Sequence, residues 1–206
     1  MSFSIYQLKP QFQRLLRPVV GRLAAARITP NQMTLATAAA MVAYGVALAV
    51  WPASRGLWLG LVVMMPLRMA LNALDGLLAQ HTGQKTRLGA LLNEVCDVVA
   101  DLALYLPVAL IAGVSAPLAV LAAAGAAVTE HAGLSALAAG TPRRFDGPMG
   151  KSDRALAYGV IGLLAGLGAP SWSINAVLIV VALLLLWTLV NRLRLGAREG
   201  AAPPTP

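Results

Sequence analysis

Six runs of predominantly apolar residues follow one another from residue 31 to residue 192, with short polar links between them. Roughly 20 apolar residues at 1.5 Å each is the length a helix needs to cross a bilayer. Nothing else in the chain constrains its fold as strongly. In lipid, only helices and closed barrels satisfy every backbone polar group. These runs are too long and too rich in Leu and Ala to be the alternating strands of a barrel. The predicted class is therefore all-α integral membrane: six transmembrane helices at 31–51, 57–80, 88–112, 115–138, 153–169 and 173–192. Composition agrees, with 58% hydrophobic and 12% charged residues, about half the charged fraction of a soluble domain.

Residues 1–27 have a different pattern. Ile5, Leu8, Phe12, Leu15, Val19 and Leu23 recur at spacings of three or four, with Lys9, Arg14, Arg17, Arg22 and Arg27 on other faces. That pattern predicts an amphipathic helix lying in the membrane interface, its regularity limited by Pro10 and Pro18. The following ITPNQMT reads as a helix start, with Thr29 as N-cap and Pro30 in the first turn. Three segments result: the interfacial helix at 1–27, the transmembrane domain at 28–195, and a polar, Pro-rich tail at 196–206 that is expected to be disordered.

The net charge of +8 does not point to nucleic acid. Fourteen of the sixteen basic residues flank the apolar runs on one side: before the first run, in the 80–87 and 140–154 links, and after the sixth. By the positive-inside rule both termini are cytoplasmic, in a bacterial-type inner or plasma membrane. The single Cys96 excludes an internal disulfide and says nothing of the redox compartment.

The chemistry is expected in Asn72–Asp101. Asn72, Asp75, Gly76 and Ala79 share one face of the second run. Asn93, Asp97 and Asp101 follow Gly89 in steps of four on one face of the third. The short basic link between these runs predicts that they are antiparallel neighbours. Counted at 1.5 Å per residue, Asp75 and Asn93 lie about 7 Å in from the cytoplasmic ends, and Asn72 and Asp97 about 12 Å. Intramembrane acids are costly, and oxygen-only clusters suit hard cations such as Mg²⁺ or Mn²⁺. Deeper, Arg68 and Asp101 lie at about 18 and 20 Å, which predicts an intramembrane ion pair with a structural role.

This stretch resembles the signature of the CDP-alcohol phosphotransferase family, D-x2-D-G-x2-A-R-x8-G-x3-D-x3-D, and keeps its spacing throughout. The resemblance implies a membrane enzyme that moves a substituted phosphate from a CDP-linked donor to an alcohol and releases CMP. It also implies six spans, an N-terminal interfacial helix, a homodimer as the common assembly, and divalent metals on the Asp residues of spans two and three. Carried over residue by residue, Asp75 is a metal ligand, and Asp97 is the general base with metal contact as well. Gly76, Ala79 and Gly89 border the CDP pocket. Asn72 and Asn93 stand at the first and third Asp positions and Gln80 at the Arg position, so this is a divergent variant. Amide oxygens still suit a hard cation, and Glu94, in register with Asp97 and Asp101, is a candidate replacement ligand.

Other polar residues have two readings each. Lys85, Arg87, Lys151 and Arg154 are candidates for capturing the diphosphate or an anionic headgroup, although orientation of the chain explains basic loops on its own. Glu130 and His131 lie at the depth of Asp97 and either line the acceptor pocket or serve as hydrogen-bonded structure. The expected function is transfer of a phosphatidyl-type group from a CDP-lipid such as CDP-diacylglycerol, with one or two Mg²⁺ or Mn²⁺ ions. The rival reading, motivated by Asn72, Gln80 and Asn93, is a metal-depleted, non-catalytic lipid- or nucleotide-binding paralogue.

Overall fold

The computed structural model describes the backbone of residues 9–199 and the side chains of 16–198. The chain forms α1 (Lys9–Ala25), α2 (Pro30–Val50), α3 (Arg55–His81), α4 (Arg87–Tyr105), a 3-10 turn (Leu106–Leu110), α5 (Ala116–Ala138), α6 (Lys151–Leu167) and α7 (Ser171–Glu199). Residues 1–8 of the expected N-terminal helix and 200–206 of the expected tail lie outside the described residues. The helix α7 continues through Glu199, so the expectation of disorder from 196 is corrected for its first residues.

Local chemistry sets the helix ends. Thr29 and Gln32 form a reciprocal capping box at the start of α2: the Gln32 N–H donates to Thr29 Oγ1 at 3.2 Å, and the Thr29 N–H to Gln32 Oε1 at 2.9 Å, satisfying two donors that the helix leaves unpaired. Thr86 caps α4 by accepting from the Gly89 N–H at 3.0 Å. The third apolar run does not continue as an α-helix to 112. Pro107 lacks an N–H and crowds the carbonyl four residues back, so α4 tightens into the 3-10 turn at Leu106.

By length and composition alone, α2, α3, α5 and α7 are able to cross a membrane. The other two expected spans fall short on that measure, α4 because it carries Glu94, Asp97 and Asp101, and α6 because it has only 17 residues.

Packing is close between α3 and α6, α2 and α4, α5 and α7, and α2 and α3, while α1 lies along α3. There Val20 of α1 is buried against Leu74 and Leu78. The main core gathers Met41, Leu48, Trp58, Leu61, Met65, Leu104, Tyr158 and Ile161. Small residues set the approach distance at this end. A Cβ on Gly162 would stand 2.7 Å from the Trp58 carbonyl oxygen, so only glycine lets α6 lie this close to α3.

The expected neighbours α3 and α4 meet through their side chains, Asn72 on Asp97 and Arg68 on Asp101, while their backbones lie closer to α2. Polar side chains bridge the space between them, and the candidate site lies there.

Candidate functional site

A cavity of about 390 Å³ opens between the start of α2, the end of α3, the 82–86 link and the start of α4. From α3 it takes Asn72, Asp75, Gly76, Ala79 and Gln80; from the link, Gln84, Lys85 and Thr86; from α4, Gly89, Ala90 and Asn93. Eight of the residues singled out in the sequence thus line one space. The two glycines do different work in it. A Cβ on Gly89 would meet Asn31 Oδ1 at 2.7 Å, so Gly89 admits α2. A Cβ on Gly76 would meet nothing within 4 Å, so Gly76 faces open space.

The helix α2 contributes Pro30, Asn31 and Thr34. The sequence analysis used this segment only as a helix start. Thr34 is four residues past Pro30, on the same face of the helix, and its Oγ1 donates to Asp75 Oδ2 at 2.9 Å. Asp75 is thereby fixed on the cavity wall with one carboxylate oxygen engaged.

Asp97 sits behind this wall and does not line the cavity. The Asn72 amide donates to its Oδ1, and Lys151 of α6 forms an ion pair with its Oδ2. Arg68 Nη2 lies 3.6 Å from Oδ1 and donates to the Asp97 backbone carbonyl at 3.0 Å. A carboxylate has about four lone-pair sites, so Asp97 keeps acceptor capacity under this load. Asp75 and Asp97 are therefore linked through Asn72, which lines the cavity on one side and holds Asp97 on the other.

Deeper in the bundle the charges form a continuous hub. Arg68 Nη2 is 2.7 Å from Asp101 Oδ1, an ion pair angled away from hydrogen-bond geometry. Arg154 Nη2 is 2.8 Å from Glu130 Oε1 and 3.4 Å from Asp101 Oδ2, and Nη1 donates to the Met149 carbonyl at 3.2 Å. Glu130 also faces Arg143 at 3.4 Å and Arg192 at 3.8 Å. Asp101 thus has two arginines where the sequence predicted one.

Three expectations change. Arg154 has no exposed surface. Its guanidinium is committed to Glu130, Asp101 and a backbone carbonyl, so it binds no diphosphate from this position. Glu94 does not turn to the cavity as a replacement ligand, because Arg143 forks onto both of its carboxylate oxygens. Glu130 belongs to the hub, whereas His131 faces a separate apolar groove of about 470 Å³ between α4 and α5, lined by Val95, Val98, Val99, Ala127, Val128 and Leu134 along with Glu94. That groove is larger than the cavity but lacks convergent polar groups. Lys85 is on the cavity rim, and Arg87 is exposed beside it as the first residue of α4. Arg192 joins the hub without any sign of it in the sequence: its guanidinium donates to the Thr129 carbonyl and, at 3.3 Å, to that of Asp146. It looked there like one more basic residue at a helix end.

Among the described residues no three His, Cys, Asp or Glu side chains gather as a ready metal cluster. The cavity wall offers one carboxylate and the amide oxygens of Asn72 and Asn93. That donor set fits one hard divalent cation and is poor for two.

Comparison with known proteins gives the same location a family. A family model described as CDP-alcohol phosphatidyltransferase matches residues 27–193. Inner membrane protein YnbA of Escherichia coli is 43% identical over 193 residues, covering 93% of this chain and 95% of that protein. A phosphatidylinositol phosphate synthase of Corynebacterium glutamicum is 31% identical over 196 residues, covering 92% and 87%. Among solved structures, phosphatidylinositol phosphate synthase (PgsA1) of Mycobacterium tuberculosis with CDP-DAG bound has a TM-score of 0.74 at 20% identity, covering 89% of this chain and 94% of that one. Its complex with manganese and citrate also has a TM-score of 0.74, at 21% identity, covering 91% and 90%. At such identities the likeness is one of fold.

Proposed function

The chain belongs to the CDP-alcohol phosphatidyltransferase family, a membrane transferase of phospholipid synthesis, and from that premise we propose that it moves a phosphatidyl group from a CDP-linked lipid to an alcohol with release of CMP. The observation that carries this reading is the shared wall of Asp75 and Asn72, with Asp97 held directly behind it. The gap between α3 and α4 gives the nucleotide diphosphate a polar chamber inside an otherwise apolar bundle. Gly76 leaves room beside Asp75, and Lys85 puts a cation at the rim. The C. glutamicum relative makes an inositol phosphate a reasonable first acceptor to try.

In the reaction, the acceptor oxygen attacks the β-phosphorus, which carries the lipid. A new P–O bond forms as the bond to the CMP oxygen breaks, and the electron pair leaves with CMP. The acceptor proton passes to the free lone pairs of Asp97, a positioned general base. Asn72, on the chamber wall, holds that carboxylate directly behind it. Asp75, held by Thr34, would hold a divalent cation with the amide oxygens of Asn72 and Asn93. When bound, that ion neutralises charge on the diphosphate and stabilises departing CMP.

The same reading proposes six spans with α1 at the interface and both termini cytoplasmic. Fourteen basic residues on one side support it. The burial of Val20 against Leu74 and Leu78 keeps α1 beside the cavity end of α3.

The test is CMP release by purified protein given Mg²⁺ or Mn²⁺, CDP-diacylglycerol and a panel of alcohols that includes inositol phosphate. Asp75→Asn and Asp97→Asn should each lower the rate by about 10²–10⁴-fold, the usual worth of a positioned acid–base group. A second reading, a binding protein without turnover, draws on the ion pair between Lys151 and Asp97. Tight CDP-lipid binding with no CMP from any acceptor would favour that reading and end the first.

A further inference from the structure

The contact of Lys151 with Asp97 stands apart from the other ion pairs. Lys151 is the first residue of α6, where the helix dipole disfavours a cation. Its side chain is 26% exposed, unlike the fully buried Arg154 one turn on. It keeps some access to solvent, and its ammonium is paired with Asp97. Among the described residues, Asp75 is the one carboxylate in the cavity lining and Asp97 lies directly behind Asn72, while Asn72 and Asn93 in the lining are neutral. Of these two carboxylates, Asp97 already faces the Lys151 ammonium, the Asn72 N–H and, at 3.6 Å, Arg68.

We propose that Lys151 is a tethered counter-charge occupying the place of a second divalent ion, so that this site takes one divalent cation. The proposal rests on the transferase reading above. Asp75, Asp97 and Lys151 sum to a net charge of minus one, with Arg68 balanced by Asp101 and Lys85 adding a further cation at the rim. That suffices to seat one hard cation with help from amide oxygens and substrate phosphate, and is too little to seat two. The lysine differs from an ion in being always present and in resisting chelators.

Mn²⁺ titration of the purified protein, followed by electron paramagnetic resonance of the free ion, tests the idea without using turnover. The wild type should saturate at one Mn²⁺ per chain. Lys151→Arg keeps the charge and should also count one, with unchanged affinity. Lys151→Gln exposes Asp97 to the ion and should bind Mn²⁺ at least about tenfold more tightly. A melting curve for each variant establishes that it is folded, and Lys151→Ala serves if the Gln variant is not. Two ions in the wild type, or a Lys151→Gln affinity equal to or weaker than wild type, overturn the inference and leave the transferase reading intact. Absence of Mn²⁺ binding in every variant overturns the metal half of that reading, and the inference with it.

Discussion

The two ends of the bundle are held together in opposite ways. At the end away from the cavity, backbones approach each other closely. Gly45 admits the Ala103 carbonyl, Gly162 admits that of Trp58, and Gly166 admits Leu59. The Trp58 indole is tied to the Pro52 carbonyl at 2.8 Å. At the cavity end α3 and α4 meet through long side chains that span the gap between them. Arg68 joins α3 to α4, Arg154 joins α6 to α4 and α5, and Arg192 joins α7 to α5. The stacked rings of Tyr105 and Tyr158, 3.6 Å between centroids, mark the boundary. In lipid, helices gain little from burying apolar surface on one another, so association depends on close packing or on satisfied polar groups. Close packing leaves no room for a substrate. The charged end trades that contact for an internal space whose walls are fixed by ion pairs.

Breaking the charged end should cost most. Arg154→Ala removes the central cation and leaves Glu130 and Asp101 short of a buried partner, a loss of about 3–5 kcal/mol. Thermal unfolding in detergent should show it as the largest drop in Tm among single variants of the hub, and a Tm within a degree or two of wild type would mean the hub is not load-sharing. At the packed end, Gly162→Val forces a side chain against the Trp58 carbonyl and should cost about 1–3 kcal/mol while leaving donor binding unchanged in the surviving folded fraction. The smallest effect on stability is expected at the space between the two regimes. Gly76→Ala meets no neighbour, and the helix gains up to about 1 kcal/mol of propensity. Yet the added methyl group intrudes on the cavity, so CDP-lipid affinity should fall while Tm holds or rises. Equal affinity in a nucleotide competition assay would show that the ligand lies elsewhere.

The sequence made the helices legible because each apolar run is long enough to specify its own structure. Thr29 as the N-cap of α2 was visible for the same local reason. Depth counting along α3 and α4 correctly paired Asn72 with Asp97 and Arg68 with Asp101, since a fixed rise per residue turns spacing into height. Lateral position has no such ruler. The separation of α3 from α4, the commitment of Glu94 to Arg143, and the burial of Arg154 all depend on contacts between helices distant in sequence. A basic residue at a helix end reads the same whether it faces water or folds inward, so Arg192 looked like a topology signal and Arg154 like a phosphate ligand. Thr34 was missed because a lone threonine in an apolar helix carries no sign of which acid it will meet.

The hub has a consequence for how the chain is made. The two helices that fall short of a candidate membrane span, α4 by its charges and α6 by its length, carry complementary charges: Asp97 and Asp101 on one, Lys151 and Arg154 on the other. During synthesis the acids of α4 and the Glu130 of α5 emerge well before the cations of α6. Until residue 154 has left the ribosome, those acids lack their main partners from α6. A chain truncated before α6 would leave Asp97, Asp101 and Glu130 without Lys151 and Arg154, so the charge network closes only when α6 is in place.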